Sequence, residues 1–351
     1  MPDIHHVLSS SADYKQAFEA GLTQILQHKT AGTFILACAN LFQHPELLQQ
    51  NQSFLGKVYE HIETHYRACL RDNQQPGDAP DDIAVMYKLI EIGLDNLAAV
   101  EYQKSTDGNA DYLLNYNQLR SFRPARMSKS DNIQLAVPFN ENGFHFDKPF
   151  LKKEIFAEGE MEGNRLSLLY NKFPFIHYHA LLVADKAAHL PQYLTRPYLE
   201  YITRLQIRTQ QQCPEFVVTY NSLGAGASVN HLHFHTWLET LPLPIFSPHF
   251  KHNGGNRAYP AACQVLHNAD EAWQAIEVLH NNNTPYNLIF KDKKIYCLPR
   301  KNPAEEITGF DLGMFGWSQL AGLINVESRE LLTAITADKI KTALKAVSLF
   351  E

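Results

Sequence analysis

The sequence predicts an α+β protein with a helical N-terminal region. Three observations carry that reading. Apolar residues recur at helical spacing through the first third of the 351-residue chain. From about residue 112 the pattern changes to short alternating runs separated by turns. Near the C-terminal end, two alternating runs flank Lys291-Asp292-Lys293, as in a β-hairpin. Helices segregated from strands in this order define the α+β class.

The elements follow in order. Residues 12–28 read as an amphipathic helix, with Tyr14, Phe18, Leu22, Ile25 and Leu26 on one side. Residues 45–71 are mostly helical; His61, His65 and Cys69 fall at i, i+4 and i+8 there, without a facing ligand cluster. Residues 72–82, rich in Gln, Pro, Gly and Asp, read as a loop. A helix is expected over 81–102, with Val85, Leu89, Ile92 and Leu97 inward, and a polar break over 106–111. Asn140-Glu141-Asn142-Gly143 marks a turn, and Phe144-His145-Phe146 alternates like a short strand. Lys148, Lys152 and Lys153 near Glu154 fit a solvated turn better than a polyphosphate contact. Strands are expected over 165–170, 179–183 and 216–220, with a helix over 195–212 whose Leu199, Ile202 and Leu205 share one face. Residues 241–256 read as a loop, 270–280 as a helix, 286–290 and 295–298 as the hairpin, and 328–348 as a closing helix.

One segment points to chemistry. In His231-Leu232-His233-Phe234-His235 the three histidines alternate with apolar residues. A strand places alternate side chains on one face, so three imidazoles are expected together. Imidazole is a nucleophile and a proton carrier near neutral pH. Asn221 to Asn230, just upstream, holds Gly224, Ala225, Gly226, Ala227 and Ser228. Small residues let backbone N–H groups approach an anion. A His-x-His pair on a strand also suits a metal ion, and Glu239 is expected on the same face.

The triplet resembles the signature of the histidine-triad (HIT) superfamily, His-x-His-x-His followed by apolar residues. The order of elements over about 160–240 is similar too. Leu168-Leu169-Tyr170-Asn171-Lys172-Phe173 with His179-Ala180-Leu181-Leu182-Val183 is similar to diadenosine tetraphosphate phosphorylases. Val229 to Phe234 and Pro285 to Phe290 are similar to GDP-hexose phosphorylases. The resemblance implies an antiparallel sheet flanked by helices, as in the galactose-1-phosphate uridylyltransferase group. It divides the chain into a helical region over 1–111, a HIT-like catalytic half over 112–240 and a C-terminal half over 241–351, two HIT-like halves of which only the first carries the triad.

The resemblance also implies roles. His233 would attack the α-phosphorus, forming a nucleotidyl-histidine, with His231 and His235 flanking it. Asn221, Gly226, Ala227 and Ser228 match phosphate-binding and supporting positions, His179 a fourth histidine, and Lys172 the lysine of the Asn-Lys-Phe run. The substrate would be a dinucleoside polyphosphate or an NDP-sugar, with inorganic phosphate as acceptor. Many members of this branch carry Gln where this chain has His235, which leaves a hydrolase using water as the alternative. A non-catalytic nucleotide-binding protein is a second alternative. No cofactor is required by this mechanism, and a structural or divalent metal stays open.

Composition sets the frame. The chain is 45% hydrophobic and 19% charged, with a formal net charge of −6, which argues against a broad nucleic-acid-binding face. Its five cysteines are scattered, which suits reduced thiols in the cytoplasm. No secretory signal and no membrane span are expected. A homodimer is compatible with this frame.

Overall fold

A computed structural model describes residues 1–108, 110–123, 133–302 and 315–349. The N-terminal region holds α1 (Ile4–Val7), α2 (Ser11–Ile25), α3 (Ala31–Leu41), α4 (Pro45–Arg71) and α5 (Pro80–Ile92). The Ser10 hydroxyl caps α2 by accepting from Asp13 N, and the expected stripe Tyr14, Phe18, Leu22 and Ile25 is buried. α3 was not legible as an element, because it is buried on nearly every side. A helix without a polar face has no 3.6-residue contrast. The helix expected over 81–102 stops at Ile92, where Gly93 adopts φ +85°. Leu97 is buried outside it, and the chain enters a strand by Glu101.

The rest comprises β1 (Glu101–Thr106), β2 (Asp111–Tyr116), α6 (Gln118–Ser121), β3 (Ile155–Met161), β4 (Asn164–Tyr170), β5 (Ala180–Ala184), α7 (Arg196–Gln212), β6 (Phe216–Asn221), β7 (Phe234–Leu238), β8 (Gln264–Leu266), α8 (Ala269–Asn281), β9 (Tyr286–Lys291), β10 (Lys294–Pro299), α9 (Trp317–Leu320), β11 (Leu323–Val326), α10 (Arg329–Ala334) and α11 (Ala337–Val347). The closing helix expected over 328–348 is two helices. Ile335 is extended, and Thr336 starts α11 by accepting from Lys339 N. Phe144-His145-Phe146 lies in a turn-rich stretch, not a strand.

Two sheets form. One has eight antiparallel strands in the order β3-β4-β5-β7-β6-β9-β10-β8; the other has the order β1-β2-β11, with β11 parallel to β2. Strands from both sides of residue 240 share the large sheet, because β6 pairs with β9. Its two faces bury different cores. Val218, Tyr220, Phe234 and Leu288 pack with the N-terminal helices and α7. Val217, Trp237 and Ile289 pack with the small sheet, α9 and α11. By strand alternation His235, Thr219, Asn221 and Asn287 share this second face. His235 therefore sits where the two sheets meet. Among the described residues no helix is long and apolar enough to cross a membrane.

Candidate active site

The histidine segment is only partly strand. β7 begins at Phe234, so His231 and His233 precede it rather than lying within it as expected. The reason is local. Leu232 N donates to Leu190 O, and the Gln192 carboxamide takes the place of a neighbouring strand. Gln192 Oε1 accepts from His233 N (2.8 Å), while its Nε2 donates to His233 O (3.0 Å) and Asn221 O (2.8 Å). Its own N donates to Asn230 Oδ1. One buried side chain thus fixes His233 and the end of β6. No pattern in the sequence marks it.

His233 is 4% exposed, and its Nδ1 lies 2.7 Å from His231 O. A carbonyl only accepts, so Nδ1 carries the proton and Nε2 keeps a free lone pair. Burial pushes its pKa down to about 4. The ring is therefore neutral near pH 7, as a nucleophile must be. His231 is turned the other way. Its Nδ1 accepts from Phe146 N (2.9 Å), so its buried, unpartnered Nε2 is a donor. His145, His189, Phe139 and Phe146 surround that ring, and the Phe139 and His189 rings stack at 4.9 Å. Hydrogen bonds to Glu141 and Asp147 hold His189 above the ordinary histidine pKa.

His235 is half-buried, and its Nδ1 lies 3.0 Å from Nε2 of fully buried His179. Burial pushes His179 down to about 3 and holds His235 well below the usual value. A neutral pair shares one proton along that contact. With the bridging proton on His179 Nε2, neutral His235 carries its own proton at Nε2 and presents an N–H donor. With it on His235 Nδ1, His235 Nε2 is a bare acceptor and His179 holds its proton at Nδ1, so the exchange moves two protons. The pair is framed by Phe175, whose ring lies 4.5 Å from His179, and by the Arg120 guanidinium 4.9 Å over Phe175. Arg120 also donates to Phe173 O (2.7 Å), and its positive charge adds to burial in disfavouring protonation of both histidines.

The small-residue loop bends beside these rings. Gly226 has φ +98°, and a Cβ there would meet Gly316 Cα at 3.0 Å. Both facts demand glycine. Glycine here serves close packing against residues 315–316 as well as any approach to an anion. Asn221 Oδ1 accepts from Asn287 Nδ2 (2.6 Å) and Trp317 N (3.2 Å), and Asn287 Nδ2 also donates to Ala225 O. Asn221 thus anchors the loop from inside. Ala227 is half-buried and Ser228 is exposed at the loop surface.

The expected residues divide in two groups. His179, Asn221, Gly226, His231, His233 and His235 are joined by the contacts above. Lys172 is spent elsewhere, in an ion pair with Asp82 of α5 that ties the 171–179 turn to the helical region. Glu239, expected beside the histidines, pairs with Lys291 at 3.0 Å. Among the described residues no group of three or more His, Cys, Asp or Glu is placed to hold a metal ion. Sequence reasoning missed Gln192, Arg120 and His189, and Asn287 was visible only as part of the run from Pro285 to Phe290. His145 and Asn171 were visible only as parts of a strand and a turn. Asn171 Nδ2 approaches His179 Nε2 at 3.3 Å.

Residues 96–237 match the family model described as GDPGP1-like, N-terminal domain. GDP-D-glucose phosphorylase 1 of Danio rerio is 28% identical over 189 residues, which cover 53% of this chain and 51% of the relative. GDP-L-galactose phosphorylase 2 of Arabidopsis thaliana is 30% identical over 148 residues, covering 37% and 34%. The chain thus spans about half the length, or less, of the curated relatives it matches. Among solved structures, yeast Ap4A phosphorylase Apa2 superposes with a TM-score of 0.50 at 19% identity, covering 78% of this chain and 95% of that one. This likeness shows the fold, and it extends the resemblance well beyond the histidines. The chain resembles the histidine-triad phosphorylases, with a GDPGP1-like N-terminal domain over residues 96–237 set in the fold of an Ap4A phosphorylase.

Proposed function

We propose that the chain is a nucleotidyltransferase of the phosphorylase kind, acting on a phosphoanhydride of an NDP-sugar or a dinucleoside polyphosphate. One observation carries this reading: the neutral His233 ring, its Nδ1 proton held by His231 O and its Nε2 lone pair free. In the first step His233 Nε2 bonds to the α-phosphorus as the bond to the leaving phosphate oxygen breaks. In the second, an oxygen of inorganic phosphate attacks the same phosphorus, the N–P bond breaks, and an NDP leaves. Covalent catalysis splits one displacement into two easier ones.

The flanking groups supply charge. His231 Nε2–H, the N–H groups of the loop at Gly226 and Ala227, and the Ser228 hydroxyl are donors for the equatorial oxygens, as a phosphoryl transition state requires. Arg120 faces the leaving phosphate from beyond Phe175. Lys172 acts through the 171–179 turn rather than on phosphate. The mechanism requires no cofactor. The likeness of the GDP-hexose phosphorylases supports phosphate as acceptor.

A second reading has its own support. The His179–His235 pair can take a proton at Nε2, which suits water as the attacking group. The test separates the two. The protein is incubated with GDP-hexoses and Ap4A, with and without phosphate, and its intact mass is measured. An added NMP mass that H233Q lacks is expected, with NDP released on adding phosphate. NMP as sole product in both conditions makes it a hydrolase. No adduct from any nucleotide overturns the proposal.

A further inference from the structure

The face that carries His235 looks onto the small sheet, and unused hydrogen-bonding atoms collect between the two. Folded proteins pair nearly all their buried polar groups. Here Asn115 is 1% exposed, yet neither Oδ1 nor Nδ2 has a partner. Asn325 Oδ1, Thr219 Oγ1, His179 Nδ1 and the Trp317 indole nitrogen are also buried and unpartnered.

Register places these atoms together. Asn115 pairs with Asn325 across β2 and β11, so their side chains share one face. Asn117, two residues on, donates to Pro174 O (3.2 Å), which turns that face toward the 171–179 turn and His179. From the other sheet, Thr219 pairs with His235. The Phe175 ring stands between, 4.5 Å from His179 and 5.5 Å from Trp317. Asn325 Nδ2 donates to Ser318 Oγ, and Trp317 N donates to Asn221 Oδ1. One polar seam runs from the small sheet to the loop beside His233.

The chemistry of this seam is uncharged. Carboxamides and a hydroxyl offer donors and acceptors together, beside the flat faces of Phe175 and Trp317. A second nucleotide's polyphosphate would need cations there. Hydroxyl groups on an apolar ring frame match it better. We propose that the inter-sheet seam of Asn115, Asn325 and Thr219 binds the hexosyl half of an NDP-hexose, on the side of His235 and Arg120 where the leaving phosphate departs. This rests on the nucleotidyl-transfer reading above. Because the lining is closed, entry requires the Phe175 ring or α9 to swing aside.

The test uses the full chain with N115L, N325L and T219V. Each removes hydrogen-bonding atoms while keeping the heavy-atom branching of the side chain. KM and kcat are measured for GDP-glucose and for Ap4A, and the thermal midpoint for each protein. A seam that binds hexose raises KM for GDP-glucose by about tenfold or more, keeps Ap4A within about twofold, and leaves the midpoint unchanged or higher, since an unpaired buried amide costs stability. Equal losses on both substrates, or none on GDP-glucose, reduce the seam to packing around internal water and overturn the inference. So does wild-type protein that forms its adduct from Ap4A and never from a GDP-hexose, although the catalytic reading then stands. A variant that fails to fold leaves T219V, the smallest change, to decide.

Discussion

His233 and His235 are two residues apart and are held by opposite means. His233 takes its tautomer from the carbonyl of His231, within its own segment, and is locked in place by the Gln192 carboxamide. His235 takes its proton state from His179, 56 residues away and just before the neighbouring strand β5. The first arrangement permits one tautomer; the second permits exchange. That difference suits two different steps. An attacking nitrogen must present the same lone pair each time, whereas the group beside an incoming acceptor gains from taking up and returning a proton.

The largest effect should come from removing the fixed ring. H233Q should lose the adduct and at least about 1,000-fold in turnover, with little change in fold, as read by intact mass and steady-state rate. Wild-type rate in that variant would erase the distinction between the two histidines. H235Q sharpens it. The first step should survive, with adduct formed within about tenfold of the wild-type rate. Any share of NMP released beside NDP in phosphate buffer should fall, because Gln keeps a donor and loses the basic nitrogen that would take a proton from water. An H235Q protein that forms no adduct would put His235 in the first step as well.

Gln192 tests the locking directly. Q192L removes three side-chain hydrogen bonds and leaves His233 N, His233 O and Asn221 O unpaired in a buried place. Each unpaired buried group costs about 1–3 kcal/mol, so a total loss of about 3 kcal/mol is expected in urea unfolding. Nucleotidyl transfer should fall further than the fraction unfolded accounts for, since the His233 ring loses its register. Unchanged stability would mean that the backbone holds the segment without Gln192.

The same contrast explains what the sequence disclosed. Local order was legible: the spacing of the triplet, the glycine loop, the stripe of α2 and the β9–β10 hairpin all lie within a few residues. Assignments that depended on distant partners were not. α3 has no polar face to betray it, and the early end of α5 at Gly93 was hidden by the apolar residues beyond. His231 and His233 alternate like a strand, yet leave the sheet because a glutamine side chain substitutes for the neighbouring backbone. Lys172 carried the right neighbours for a phosphate contact, and only the fold revealed Asp82 beside it. Arg120 became a candidate only when Phe175 was placed under its guanidinium.

The smallest expected effect concerns pH, and it separates the site from the rest of the molecule. Burial depresses His231, His233 and His280 to about 4 and His44 and His179 to about 3. In the unfolded chain these rings titrate near 6.5. Below that value the unfolded state binds protons that the folded state refuses, so stability is full above about pH 6.5 and declines as pH falls toward 4. The thermal midpoint should therefore drop steadily from pH 7 to pH 5. Adduct formation, measured over the same range without phosphate, should stay flat, because His233 remains neutral until about pH 4. The two curves part only if the nucleophile is shielded by the fold while still folded. An acid limb in adduct formation near pH 6.5 would show that His233 titrates as a solvated histidine, and its carbonyl lock would then confer nothing that His235 lacks.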